Sequence, residues 1–127
     1  MATWQEIGID NFRAAVALYD GGHYRNAASR FYYAAFSVVT YELIQRGARP
    51  AFRDNRATPG HAQLRLLITT YFTHMSARRL DNLTALVTDL YLDRLNADYS
   101  LLRVDKQSCR ISYQTARKIF NYLEVPG

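Results

Sequence analysis

Cysteine occurs once in this chain of 127 residues, at Cys109, so an internal disulfide is excluded and a reducing compartment fits. Histidine is confined to His23, His61 and His74, with no His-x-x-x-His and no carboxylate–histidine pair. That scatter argues against a metal site, and no metal or cofactor is expected. No glycine-rich phosphate loop is present, the glycines standing singly or as the Gly21-Gly22 pair. No apolar run is long enough to cross a bilayer. Met1–Asp10 also lacks the basic start and apolar run of a signal peptide, so a cytoplasmic protein without membrane attachment is expected. Valine and isoleucine recur at helical rather than alternating spacing, which leaves no strand to place. Lysine is scarce too: arginine outnumbers it fourteen to two within a formal charge of +5. Arginine grips phosphate with a planar fork where lysine is a point charge, although a GC-rich genome would also enrich it.

Nearly half the residues are hydrophobic, enough for one domain over residues 1–127 with a single core. Its organising stretch is Tyr24 to Arg46, which contains neither glycine nor proline. One apolar row is Tyr24, Ala28, Tyr32, Ala35, Val39 and Leu43; a second is Ala27, Phe31, Ala34, Val38 and Tyr41. Both step by three or four, so the helix is apolar around most of its circumference and others must pack on it. A narrow polar seam remains: Asn26, Arg30, Tyr33, Ser37 and Thr40. It is expected to face water, a partner or a ligand, because unpaired polar groups are poorly tolerated inside.

The other helices are marked by their ends. Thr3-Trp4-Gln5-Glu6 has the form of a capping box, and Ile9, Phe12, Val16 and Tyr19 follow as a stripe that Gly21-Gly22 terminates. Gly47 closes the central helix, and residues 48–57 read as a basic loop. Thr58-Pro59 predicts the start of a third helix carrying His61, Leu64, Leu67, Ile68 and Tyr71. Ser76 can cap a fourth that runs through Leu83, Val87 and Leu90 to Tyr99 and loosens near Ser100. Gln107 or Ser108 is expected to open the last, with Ala116, Ile119, Phe120 and Leu123 inside. The expected fold is an all-α, up-and-down bundle of four to five helices.

Polar residues set on these apolar helices are the candidates for chemistry. Arg30 lies one turn from Tyr33 among alanines, and Arg94 lies near the end of the fourth helix with Asp98 one turn on and Tyr99 beyond. Asp98 reads as a structural tie for Arg94 or Arg30, a pairing worth about 0.2–0.5 kcal/mol. Cys109 reads as a small core filler.

Asn26-Ala27-Ala28-Ser29-Arg30-Phe31-Tyr32-Tyr33-Ala34-Ala35-Phe36, then Gly47, His61 and Arg94-x-x-Ala97-Asp98-Tyr99, together resemble the HEPN superfamily (higher eukaryotes and prokaryotes nucleotide-binding). The likeness is to its short stand-alone prokaryotic branch and extends to Phe120. What the resemblance implies is a helical bundle that dimerises, encoded beside a minimal nucleotidyltransferase that neutralises it in a toxin–antitoxin or defence pair. It also implies metal-independent endoribonuclease activity in many members, from an Arg, four to six residues, then a His, meeting in a dimer cleft.

Arg94 stands where that arginine belongs, but Tyr99 stands in place of the histidine. A phenol near pKa 10 moves protons poorly at neutral pH, yet it can hydrogen-bond a phosphate or stack on a base. His61 is the alternative acid–base group. Arg56 and His61 make a second Arg-x4-His match, discounted as a chance pattern away from the family position. Two readings stand. One is an RNA- or nucleotide-binding cleft of Arg94, Tyr99, Arg30 and Tyr33, with or without cleavage. The other is a non-enzymatic module that binds a nucleotidyltransferase partner and its nucleotide.

Overall fold

Three side-chain caps start three of the five helices. The Thr3 hydroxyl accepts from the Glu6 N–H at 3.1 Å, Ser76 from Arg79 at 3.3 Å and Asp105 from Ser108 at 2.8 Å. In the computed structural model, which describes residues 1–48, 60–101 and 103–127, the helices are α1 (Trp4–Asp20), α2 (Tyr24–Gln45), α3 (His61–Tyr71), α4 (Ala77–Tyr99) and α5 (Lys106–Tyr122). No strand occurs among the described residues. The all-α bundle expected from periodicity is therefore the observed fold. The basic loop and the Thr58-Pro59 helix start fall outside the described residues, and α3 enters through Gly60. Asp105, rather than Ser108 or Gln107, opens α5, because its carboxylate reaches the orphan N–H three residues on.

Connections follow from backbone chirality. Gly22 (φ +82°) and Gly47 (φ +105°) take the left-handed conformation that ends α1 and α2, a region where a side chain would be strained. A third glycine works by size. A Cβ on Gly8 would lie 2.5 Å from Val38 Cγ1 and 2.9 Å from the Ala34 carbonyl, so its absence lets α1 lie close on α2.

α2 is the hub, in contact with each of the other four helices. Both of its predicted apolar rows are buried apart from Tyr24 and Tyr41, which are half-buried. Around it lie Phe12 and Ala15 of α1, Leu64 and Ile68 of α3, Leu83, Val87 and Leu90 of α4, and Cys109, Ala116, Ile119 and Phe120 of α5. Phe12 is the aromatic centre, its ring 4.8 Å from Phe120 and 5.6 Å from both Phe31 and Tyr113. Burying one such ring contributes several times what a surface ion pair does. The bundle's stability therefore resides here and leaves its polar edge free for other use.

The polar seam of α2 divides in two. Asn26, Arg30 and Tyr33 are exposed as expected, but Ser37 (3 % exposed) and Thr40 (0 %) are sealed within the bundle. Ser37 returns its hydroxyl to the Tyr33 carbonyl of its own helix at 2.8 Å, while Thr40 Oγ1 has no partner. The helix itself supplies the acceptor that lets the Ser37 hydroxyl be buried, whereas Thr40 is buried without one among the described residues.

Candidate functional site

Packing of α4 across α2 sets Arg94 opposite Tyr33. Arg94 Nη2 donates to the Tyr33 hydroxyl at 2.9 Å, and Nε lies 3.0 Å from Asp98 Oδ2. The Nε–H does not point along that line, so the second contact is an ion pair rather than an aligned hydrogen bond. Asp98 also accepts a long bond from Ser29 Oγ at 3.4 Å, which straps α4 to α2. Three phenol rings surround the guanidinium: its carbon is 5.5 Å from the Tyr33 centroid, 5.6 Å from Tyr99 and 6.0 Å from Tyr32.

The Arg94 side chain keeps 19 % of its surface in contact with solvent, and Asp98 keeps 29 %. The arginine is thus held by Asp98 but not sealed behind it. Partial desolvation works against its charge, yet the Tyr33 hydrogen bond and the fields of Tyr33, Tyr99 and Asp98 outweigh that and raise its pKa further. Arg94 is a fixed cation. Its Nη1 donates to no protein atom among the described residues, which leaves one arm of the fork open.

Tyr99 ends α4 and is 74 % exposed, its ring flanking the guanidinium. Arg30 shares the exposed edge of α2 but turns the other way, donating from Nη1 to Asn11 Oδ1 of α1 at 2.9 Å. The structure therefore gathers Arg94, Tyr33 and Tyr99, and sets Arg30 beside that group rather than in it.

His61, the first residue of α3, stacks flat on Tyr91, with centroids 3.8 Å apart and an interplanar angle of 7°. Its ring lies 6.3 Å from that of Tyr32, whose ring also approaches Arg94, so the imidazole and the guanidinium share a phenol neighbour. Desolvation, reinforced by the charge of Arg65, lowers its pKa and keeps the ring neutral at neutral pH. The buried Nδ1 has no hydrogen-bond partner among the described residues, where a local bond is expected of a helix-start histidine. Burial pushes the Tyr32 phenol well above its ordinary range, the nearby Arg94 charge only partly opposing it. The Arg56 half of the second Arg-x4-His match lies outside the described residues.

Cys109 sits in the core, where burial and the neighbouring Asp93 push its thiol up to about 11. It is a neutral thiol. Among the described residues no group of His, Cys, Asp and Glu is arranged to hold a metal.

Sequence reasoning passed over Arg25. Its Nη1 donates to the Asn96 carbonyl at 3.3 Å, to Ser100 at 2.9 Å and to the carbonyl of Ala97. These belong to the end of α4, where carbonyls run out of N–H donors from a following turn, although that of Asn96 also accepts the Ser100 N–H at 3.1 Å. A cation at a helix C-terminus is also favoured by the dipole. Arg25 thereby pins to α2 the turn that carries Tyr99. Nothing local in the sequence signals it, because the partners lie more than 70 residues away.

These elements make an all-α bundle with an arginine held among tyrosines in a shallow notch on one edge. A family model for the HEPN domain matches residues 1–125, and the chain belongs to the HEPN family. Membership carries a nucleotide- or RNA-related function in general terms. No curated protein and no solved structure matches the chain. No described helix is long and apolar enough to cross a membrane.

Proposed function

We propose that this chain binds RNA or nucleotide phosphates at the Arg94 notch, as a homodimer and as one member of a toxin–antitoxin or defence pair. The observation that carries the reading is the state of Arg94: a permanent cation, oriented by Tyr33 and Asp98, with one arm of its fork unengaged and an edge open to solvent. Tyr99 offers a base a stacking face beside that charge, and stacking of this kind contributes about 1–3 kcal/mol. Arg30, one turn along α2, adds positive charge at the rim. Leu92 and Tyr99, seven residues apart on one face of α4, and Leu101 just beyond form an exposed apolar row next to the notch, suited to a second copy of the chain.

Cleavage at this site would be metal-independent. The 2′-hydroxyl attacks the adjacent phosphorus, the 5′-oxygen leaves, and Arg94 stabilises the charge that develops on the phosphoryl oxygens. His61, neutral and with an unpartnered Nδ1, supports the base role better than Tyr99 in protonation, while Tyr99 is nearer the phosphate-binding group. The test is binding and cleavage of labelled RNA in EDTA, with Arg94→Ala alongside. Loss of binding in the variant supports the reading; cleavage that also disappears adds the enzyme. RNA bound equally well by both proteins overturns it.

A second reading draws on the same apolar row. A nucleotidyltransferase partner would cover Leu92, Tyr99 and Leu101, and the notch would hold that partner's nucleotide without breaking a bond. Co-purification with the neighbouring gene product, abolished by Leu92→Glu, together with RNA left intact by the wild-type chain, favours this alternative.

A further inference from the structure

A surface cleft lies away from Arg94. It has a volume of about 600 Å³ and is walled by the α1–α2 turn, the first turn of α2 and the approach to α5. Arg25, Arg103, Lys106, His23 and Asn26 line it. Asp105 is the one acidic group on its wall among the described residues, and its carboxylate is engaged by the Ser108 N–H at 2.8 Å, which holds its pKa below the usual carboxylate range. Arg25 is already committed to the α4 carbonyls, but Arg103 and Lys106 are exposed. The first turn of α2 carries no acidic residue and its N-cap, His23, makes no side-chain cap, so no local anion competes there.

The cleft and the Arg94 notch both lie along α2. Asn26 lines the cleft, Ser29 reaches Asp98, and Tyr33 holds Arg94, all on the exposed edge of α2. Seven residues of helix separate Asn26 from Tyr33, about 10 Å at the α-helical rise. A mononucleotide seated at Arg94 has no phosphate to spare at that distance, whereas an extended strand has successive phosphates all along it.

We infer that the Arg103–Lys106 cleft is a second phosphate-binding region, which takes the adjoining backbone of an RNA strand that has one phosphate at Arg94 and runs along α2. The inference rests on the Arg94 reading and specifies its substrate as an oligonucleotide rather than a free nucleotide. Exposed cations and a flanking phenol are the parts from which sequence-tolerant strand binding is built.

Octauridylate and uridine monophosphate serve as probes, titrated against the full chain, Arg103→Gln/Lys106→Gln and Arg94→Ala at several salt concentrations. The expected result is that the double variant binds octauridylate on the order of tenfold more weakly at 0.1 M salt, with the salt slope reduced by about 1.4, from roughly 0.7 per phosphate contact. Its binding of uridine monophosphate stays unchanged, and Arg94→Ala weakens both ligands. Unchanged octauridylate affinity and slope in the double variant, with Arg94→Ala still impaired, overturns the strand path but leaves the notch standing. An Arg94→Ala protein that binds both probes normally overturns the notch itself, and with it a strand anchored there. Both substituted cleft positions are exposed, and unchanged helical circular dichroism confirms that the fold is intact.

Discussion

Arg94 is oriented by two partners that could serve stability, and the magnitudes decide that they do not serve it much. A half-exposed i,i+4 ion pair and a phenol hydrogen bond are each worth about 1 kcal/mol or less. Arg94→Ala should therefore stay folded and lose less than about 1.5 kcal/mol by urea denaturation while losing phosphate binding. Tyr99→Phe should keep most of the affinity if stacking is its role, and Tyr99→Ala should lose about tenfold, the lower end of a base–aromatic contact. His61 makes a different prediction. Its folded pKa is lowered by burial, so the unfolded chain binds more protons below its ordinary value. Stability is then lost as pH falls from about 6.5, the unperturbed histidine value, toward the lowered one. His61→Phe should flatten that part of a plot of urea midpoint against pH. A slope unchanged by the substitution would mean that another group titrates there.

At the scale of the helix, the last turn of α4 depends on a residue of another helix. Arg25→Ala removes a charged donor from three carbonyls and should cost about 1.5–3 kcal/mol. Amide exchange measured by NMR should then quicken at Tyr99 and Ser100 while α1 remains protected, since fraying begins where the clamp was. The α1–α2 contact is limited by volume instead. Gly8→Ala drives a methyl group into Val38 and the Ala34 carbonyl, so thermal unfolding should show a loss of roughly 1–3 kcal/mol. Capping shows how far helix ends can be read. Thr3 and Ser76 were visible from local chemistry, whereas Asp105 lost out to Gln107 and Ser108 in the sequence reading although it satisfies the same rule.

Across the whole molecule, a basic edge lies beside an exposed apolar row. The formal charge of +5 spread over arginines gives any phosphate ligand a salt-dependent affinity. The row of Leu92, Tyr99 and Leu101 is exposed, with no cover from the described residues. Sedimentation at micromolar concentration should show a dimer, and Leu92→Glu should shift it toward monomer with the helical spectrum unchanged. A wild-type chain that sediments as a monomer throughout would remove the dimer cleft from the proposal.

Helix count, the central place of α2, the core rows and the positions of Arg94 and Tyr99 were all legible in the order of residues. Each follows from a period of 3.6 or from a motif of a few neighbouring positions, and such patterns act over short range. Folding alone decided that Ser37 and Thr40 go inside, that Arg30 turns toward Asn11, that His61 and Arg94 approach the same tyrosine ring, and that Arg25 grips a turn far along the chain. Those outcomes depend on which face of one helix meets which turn of another. Contacts of that kind join residues distant in sequence, and no local pattern encodes them.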